Sequence, residues 1–272
     1  MFLIFTIVFA VTLRVFFFAS FVIPSDSMSP TLIQGDYVFV NKMIPGPRVF
    51  KSWDFLNGRD LSMTRLKGYR KIKRNDVIVF NYPYSNRNKV KLDFNVFYIK
   101  RCVAIPGDTF YIDKGIYRVK NIPDILGNYD NQKLLRMSQR KFHSNIFNCF
   151  PYSNHYKWNI RNFGPLYIPG ERDTVSIDTV NICLYQKLIE YETQQSVSIK
   201  DGHVFIDNKL VYEYVFSQNY YFVAGDNVLN SRDSRYWGLL PEDHIVGKAF
   251  VIWLSKNPNN NKWEWDRFFK RI

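Results

Sequence analysis

The chain opens with an almost uninterrupted apolar segment, residues 1–23, which reads MFLIFTIVFAVTLRVFFFASFVI. A run of 18 or more mostly apolar residues is typical of a membrane-spanning helix. Arg14 interrupts the run, and a charge at the bilayer centre costs about 2.5–3.5 kcal/mol, so its side chain should extend to a headgroup layer. A cleaved leader would need a basic start and a small-x-small cleavage site, and neither is evident. The pattern favours an uncleaved transmembrane anchor.

Short apolar runs that end at turn residues dominate the rest of the chain. Runs rich in β-branched and aromatic residues predict β-strands. Five segments have this pattern, and the fourth of them resembles a hairpin: Tyr37–Val40, Asp76–Phe80, Phe94–Ile105, Val204–Tyr212 and Ile245–Leu254. Helical spacing of apolar residues is rarer and predicts helices over Gln132–Phe142 and Val180–Tyr191.

The strand pattern weakens in the middle of the chain, which is polar and basic. We therefore expect a mainly β protein, with an antiparallel core formed by residues 24–110 and 222–272. Residues 111–221 would be an inserted accessory subdomain, also rich in strands.

The charge balance is strongly basic. Lys and Arg outnumber Asp and Glu by 37 to 24, which gives a formal net charge of +13. Such an excess indicates an anionic neighbour, either nucleic acid or the phosphate face of a lipid bilayer. Composition alone does not distinguish the two.

The histidines and cysteines do not have the spacing of a metal site. The four histidines are far apart in the sequence, and the three cysteines, Cys102, Cys149 and Cys183, lack C-x-x-C spacing. One disulfide is possible, but nothing in the sequence demands it. No metal or organic cofactor is expected.

Two serines lie directly after the apolar segment, between the prolines of PSDSMSPTL at Pro24–Leu32. A serine hydroxyl is a poor nucleophile until a base takes its proton, and no histidine lies near a catalytic motif. A lysine can be that base if burial lowers its pKa from about 10.4. Lys100 lies within the longest apolar run that follows the N-terminal segment, on the same strand face as Tyr98 and Cys102. From these residues alone, Lys100 is either a buried base or an edge-strand charge that discourages aggregation.

Three segments, taken in order, resemble the signature boxes of bacterial type I signal peptidases. The first is SDSMSPTL at Ser25–Leu32, and the second is YIKR at Tyr98–Arg101. The third comprises Gly225–Asn227 and Asn230–Gly238. Three such boxes in the family's order, after an apolar segment, are a strong signal, whereas residues 111–221 match only loosely.

The resemblance implies roles for individual residues. Ser27 matches the nucleophile, Lys100 the general base, and Ser25 the serine whose hydroxyl forms the oxyanion hole with the Ser27 N–H. Ser231 matches a serine that orients the lysine nitrogen, and Asp233 a carboxylate that supports the region. On composition alone, these two would be ordinary turn residues. The further ion-pair members of the scaffold would be Asp226, Arg101 and Arg235.

The resemblance also implies shallow apolar pockets in a substrate cleft. Such pockets admit alanine-sized side chains and reject larger ones by clash. The matching positions are Phe21, Ile23, Pro24, Met28, Leu32, Val38, Tyr98 and Ile99. Each of them, taken singly, also fits an ordinary core position or a surface that dips into a membrane.

The chain departs from the family pattern at three positions. Asn75 replaces the glycine expected before Asp76, Ala104 stands where glycine is usual, and Leu229 where an acidic residue is common. None of these changes removes a catalytic group, so they concern local backbone structure.

The resemblance identifies a membrane-bound serine endopeptidase that removes signal peptides from exported preproteins. It would lie in the cytoplasmic (inner) membrane of a bacterium as a single-pass protein, with its catalytic domain outside the cytoplasm. Its expected partners are preproteins and a bilayer of anionic phospholipid, and not nucleic acid. One alternative is a self-cleaving Ser–Lys protease of the repressor type, although such proteins normally carry a DNA-binding module. The other is a non-catalytic membrane-tethered module that binds lipid or nucleic acid.

Overall fold

The computed structural model describes residues 2–50, 63–84 and 89–272, and most of the expected strands join one antiparallel sheet. Its strands are β1 (Phe18–Val22), β2 (Asp36–Asn41), β5 (Val77–Asn81), β6 (Phe97–Ala104), β15 (Tyr220–Ala224), β16 (Leu240–Pro241), β17 (Ile245–Ser255) and β18 (Lys270–Arg271). Their order is β1-β2-β17-β5-β6-β15-β16, and β18 pairs with β17. The expectation of a mainly β, antiparallel fold is confirmed.

The remaining strands form small sheets. They are β3 (Arg48–Phe50), β4 (Met63–Arg65), β7 (Thr109–Asp113), β8 (Ile116–Val119), β9 (Phe163–Tyr167), β10 (Thr174–Ser176), β11 (Val197–Lys200), β12 (His203–Ile206), β13 (Lys209–Val211) and β14 (Glu213–Val215). The small sheets are β3-β4, β8-β7-β9, β10-β14 and β11-β12-β13. In the described part of the chain, the α-helices are α1 (Phe2–Thr12), α2 (Tyr129–Met137), α3 (Ser144–Phe147), α4 (Ile182–Thr193) and α5 (Ser234–Trp237).

The region between β6 and β15, residues 105–219, is called the inserted region below, and it shares a hydrophobic core with the large sheet. Phe110 stacks on Phe222 with 4.3 Å between ring centroids, and Phe163 lies 5.4 Å from Phe222. All three rings are buried, so the inserted region packs directly on the sheet that carries the candidate site. The three cysteines are free thiols: Cys102, Cys149 and Cys183.

The N-terminal apolar segment is helical only in its first part. After α1, a π-helical turn covers Leu13–Phe17, and β1 then pairs with β2 from Phe18 opposite Asn41 to Val22 opposite Tyr37. Helix α1 ends at Thr12, and the last part of the segment, with its two phenylalanines and Val22, forms a strand. Among the described residues, no helix is both long and apolar enough to cross a membrane. The transmembrane anchor stays a prediction.

The predicted helices and hairpin are present with shifted ends. Helix α2 begins before Gln132 because the Asn128 side chain accepts the Asn131 N–H at 3.0 Å and caps the first turn. Strands β12 and β13 form the hairpin, and Asp207 and Asn208 occupy its turn with φ of +46° and +63°.

Candidate active site

The loop between β1 and β2, residues 23–35, carries Ser25 and Ser27. Its ends are joined at the sheet, since Ile23 N donates to Asp36 O at 2.8 Å and Gly35 N donates to Ile23 O at 2.9 Å. Met28 and Leu32 are fully buried. The apolar residues of the loop therefore anchor it, while the two serines remain accessible.

Lys100 on β6 lies against this loop. Its Nζ is 2.7 Å from Ser27 Oγ and donates to Ile99 O at 2.8 Å. The side chain is only 4% exposed, and its Nζ is 5.5 Å from the centroid of the Tyr98 ring. The 2.7 Å distance between Lys100 Nζ and Ser27 Oγ is within the range for direct proton transfer.

Burial lowers the pKa of Lys100 to about 8. Desolvation penalises the ammonium form, and nearby Arg235 acts in the same direction. Asp233 and Asp226 act in the opposite direction, because a carboxylate favours the charged amine. A neutral amine is therefore well populated in weakly alkaline solution.

Ser25 is exposed beside the nucleophile candidate, and its Oγ lies 3.4 Å from Ser27 Oγ. The Ser25 hydroxyl and the Ser27 backbone N–H therefore belong to the same small region of the surface. Two such donors are what a developing oxyanion requires.

An ion pair joins β6 to the loop region. The Arg101 guanidinium donates to both carboxylate oxygens of Asp226, at 2.7 and 2.5 Å. Thr31 on the serine loop donates its hydroxyl to the same carboxylate at 2.5 Å. Asp226 thus connects the residue after Lys100 with the loop that carries Ser27.

A second ion pair, between Asp233 and Arg235, is completely buried. Two guanidinium nitrogens donate to the carboxylate at 2.8 Å each, the Gly225 N–H donates to it at 2.9 Å, and Arg235 also reaches Val228 O at 2.9 Å. Burial alone would raise the pKa of Asp233, but Arg235 outweighs this effect and holds the pKa below its usual value. The pair is therefore ionised at neutral pH and fixes the turn that follows β15.

Breaking this pair should destabilise the protein strongly. In Asp233→Ala, a buried guanidinium loses its partner, so the free energy of unfolding should fall by about 3–5 kcal/mol. Denaturant unfolding at pH 7 measures this change. A matched control is Asp130→Ala, which breaks the exposed Asp130–Lys133 pair and should cost less than about 1 kcal/mol. Equal losses in the two variants would contradict the structural role assigned to the buried pair.

Ser231 lies beside the nucleophile loop but does not hydrogen-bond Lys100. Its hydroxyl oxygen is buried and has no hydrogen-bond partner among the described residues. It also packs on Gly225, where an added Cβ would lie 2.2 Å from Ser231 Oγ and 2.5 Å from Ser27 O. Only glycine at position 225 allows this approach. The resemblance implies a contact from Ser231 to the lysine nitrogen, and the structure instead shows contacts to the surrounding turn.

A groove of about 310 Å³ runs past the two serines and Lys100. Three of the expected pocket residues line it: Pro24, Tyr98 and Ile99. Four others do not, because their side chains are buried in the smaller hydrophobic core, at 0–2% exposure: Ile23, Met28, Leu32 and Val38. Phe21 packs beside the groove, with its ring 5.1 Å from that of Phe97, which lines it.

Several functional-site neighbours were not expected from the sequence. Asn230 and Arg232 line the groove, and Asn230 Nδ2 donates to the Asp26 carboxylate at 3.2 Å. Asn227 N donates to Ser27 O at 3.1 Å. In the sequence, these residues were indicated only by their place in the third signature box, which does not specify their contacts.

Asn75, the departure from glycine, has a structural explanation. Its φ is +68°, a left-handed conformation that asparagine tolerates better than most residues. Its carboxamide accepts the Gly127 N–H and donates to Ile125 O, both at 2.8 Å. Asparagine thus keeps the backbone conformation that glycine would allow and adds a link to the inserted region.

Comparison with known proteins identifies the family of this chain. The family model described as signal peptidase, peptidase S26, matches residues 1–254. A signal peptidase I of Buchnera aphidicola subsp. Schizaphis graminum is 31% identical over 96% of this chain and 75% of the relative. That of Aquifex aeolicus is 28% identical over 89% and 78%. A crystal structure of a signal peptidase I from Enterococcus faecalis V583 aligns at 18% identity over 66% of this chain and 97% of that chain, with a TM-score of 0.31. The sequence matches, and not this superposition, show that the chain belongs to the signal peptidase family, peptidase S26.

Proposed function

We propose that this chain removes signal peptides from preproteins, with Ser27 as nucleophile and Lys100 as general base. The observation that carries the proposal is the 2.7 Å contact between Ser27 Oγ and a buried lysine nitrogen. Burial lowers the pKa of this lysine to about 8, which makes a neutral amine available. In a member of the peptidase S26 family, the pair fits acyl transfer better than a structural role.

In the first half of the reaction, neutral Lys100 accepts the Ser27 hydroxyl proton while Oγ attacks the carbonyl carbon of the scissile bond. The Ser25 hydroxyl and the Ser27 N–H donate to the oxyanion that forms. Protonated Lys100 then gives its proton to the leaving amine nitrogen, and the peptide bond breaks. The signal peptide remains esterified to Ser27.

In the second half, the same lysine activates a water molecule. Neutral Lys100 accepts a proton from the water as its oxygen attacks the ester carbonyl carbon, and the same donors hold the second oxyanion. Collapse of this intermediate returns the proton to Ser27 Oγ and releases the signal peptide with a carboxylate end. No other base is required for either half.

The groove supports selection of small residues before the cut. Phe97 and Tyr98 line it together with Ser27, and its volume of about 310 Å³ would be shared among several substrate residues. Alanine-sized side chains fit such a space, and larger ones clash with rigid walls.

We propose that the enzyme works at the cytoplasmic membrane of a bacterium, with residues 1–23 at the bilayer and the catalytic region outside the cytoplasm. The net charge of +13 favours anionic phospholipid at this surface. This arrangement would bring the groove close to a signal peptide that is still in the membrane.

Cleavage of a purified preprotein in a detergent–lipid mixture tests the proposed function. A preprotein with alanine at the residue before the cut and two residues earlier should be cut once. Replacing the alanine before the cut by leucine should reduce the rate by about 100-fold or more. Mass spectrometry of the products locates the cut, and the leucine preprotein is the matched control. Equal cutting of both preproteins would contradict the proposed specificity.

A further inference from the structure

A side chain of the inserted region bridges two loops of the candidate active site. Asn131 Nδ2, on helix α2, donates to Asp226 O at 2.7 Å and to Ser29 O at 3.3 Å. Ser29 lies two residues after Ser27, on the same loop. The Asp226 side chain pairs with Arg101, the residue after Lys100. One carboxamide therefore connects the nucleophile's loop with the loop that is paired to the strand of the base.

The helix that carries Asn131 is fixed on its inner side. Gln132 is fully buried, accepts the Tyr117 N–H at 2.9 Å and donates to Leu126 O at 2.6 Å. Leu135 is also fully buried. These contacts hold α2 against the rest of the inserted region. The position of the Asn131 carboxamide, which donates to the two carbonyl oxygens, is therefore fixed.

The inserted region is joined to the catalytic sheet a second time, close to the same place. The Asn75 side chain binds the backbone of Ile125 and Gly127, and Arg101 donates to Asn75 O at 2.9 Å. Movement of α2 relative to β6 is thereby restricted. Asn131 extends this restriction to the Ser27 loop, because its side-chain amide donates a hydrogen bond to Ser29 O.

We propose that Asn131 is a positioning residue, through which the inserted region holds the Ser27 loop at reacting distance from Lys100. This inference rests on the proposed function. The side chain touches neither substrate nor reacting atoms and acts through the backbone of Ser29 and Asp226. Reacting groups tolerate little displacement, and an error of about 1 Å can cost about 100-fold in rate.

The test compares Asn131→Leu with Asn131→Gln and Asp130→Ala in preprotein cleavage. Leucine keeps the branched shape at Cγ but cannot donate, so kcat should fall about tenfold or more while KM stays within about twofold. Glutamine keeps the NH₂ group and should recover a large part of the rate. Asp130 is the exposed neighbour on the same helix and serves as the matched control.

The pH profile separates positioning from simple loss of structure. If the Ser27 loop moves away, water reaches Lys100, and the rising limb of the rate should shift to higher pH by about half a unit or more. Thermal unfolding of Asn131→Leu should match that of Asp130→Ala. A wild-type kcat and profile in Asn131→Leu would overturn the inference. So would a rate loss that only follows the folded fraction or that glutamine does not recover.

The same assay distinguishes failure of the inference from failure of the proposed function. If wild type and Asp130→Ala cut the preprotein and Asn131→Leu cuts equally well, only the positioning role is wrong. If folded wild type cuts no preprotein, the proposed function fails, and the positioning role fails with it.

Discussion

Ser27→Ala is expected to lose preprotein cleavage almost completely, with a fall in kcat of about 10⁴–10⁶-fold. Alanine has no oxygen at the position that lies 2.7 Å from Lys100 Nζ, so the covalent ester cannot form. The groove and the oxyanion donors remain, which leaves substrate binding largely intact. KM should therefore change much less than kcat.

The measurement is a time course of product formation by purified protein at several enzyme concentrations. The cleaved bond is identified at each concentration. Ser198→Ala, on β11 and remote from the groove, is the control for the preparation and should cut at the wild-type rate. Both variants should unfold at the same temperature as wild type. If Ser27→Ala cuts at the same bond and the same rate, another nucleophile or a contaminating protease must be responsible.

The strands of the core could be predicted because their sequence pattern is local. Asp76–Phe80 and Ile245–Leu254 are rich in β-branched and aromatic residues, and in the structure β5 is buried throughout and pairs with β17. Such runs are read directly from residue type and length. The order of the strands in the sheet depends on contacts between residues far apart in the chain, and the pattern does not contain it.

The N-terminal segment shows where apolar composition is ambiguous. Residues 1–23 have one continuous hydrophobic character, yet the structure changes from helix to strand at Phe18. The deciding interaction is the ladder with β2, which lies more than a dozen residues further along the chain. An apolar run alone does not separate these outcomes.

The motifs predicted which residues belong to the candidate site. The sequence did not predict which of these side chains are buried. The sequence left Lys100 open between a buried base and an edge charge, and the structure places β6 between β5 and β15. Conversely, Met28 and Leu32 were expected in the substrate cleft and lie in the core. The bridge made by Asn131 joins segments about 100 residues apart, and no local pattern indicates it.

Lys100→Met should abolish cleavage to nearly the same extent as Ser27→Ala, because the hydroxyl loses the base that accepts its proton. Methionine is unbranched and apolar, and it fills the space of the lysine stem without a titratable group. Lys120→Met, at an exposed lysine on the inserted region, is the matched control and should retain full activity. Cleavage at the wild-type rate by Lys100→Met would exclude Lys100 as the general base.

The wild-type rate should rise with pH through about 8, the value to which burial lowers the pKa of Lys100. The reacting form is the neutral amine, so the rate at pH 7 should be about one tenth of its plateau, and the plateau should be reached above about pH 9. With an ordinary lysine, the rise would instead continue to about pH 10.4. Initial rates of preprotein cleavage at constant ionic strength measure this limb. A rate that does not change between pH 6.5 and 9 would contradict a lysine base.

Lys100→Met should raise the stability of the folded protein although it abolishes cleavage. The pKa of Lys100 is lower in the folded protein than in the unfolded chain, so below about pH 8 folding requires a charged amine to be buried. This unfavourable contribution is fully present at pH 7 and disappears as the pH rises towards the unfolded value. Lys100→Met removes it, and its free energy of unfolding at pH 7 should exceed that of wild type by about 1–3 kcal/mol. Lys120→Met should show no such gain. An inactive variant that is more stable than wild type would separate loss of the base from loss of the fold, since a merely structural lysine would leave the protein weaker when removed.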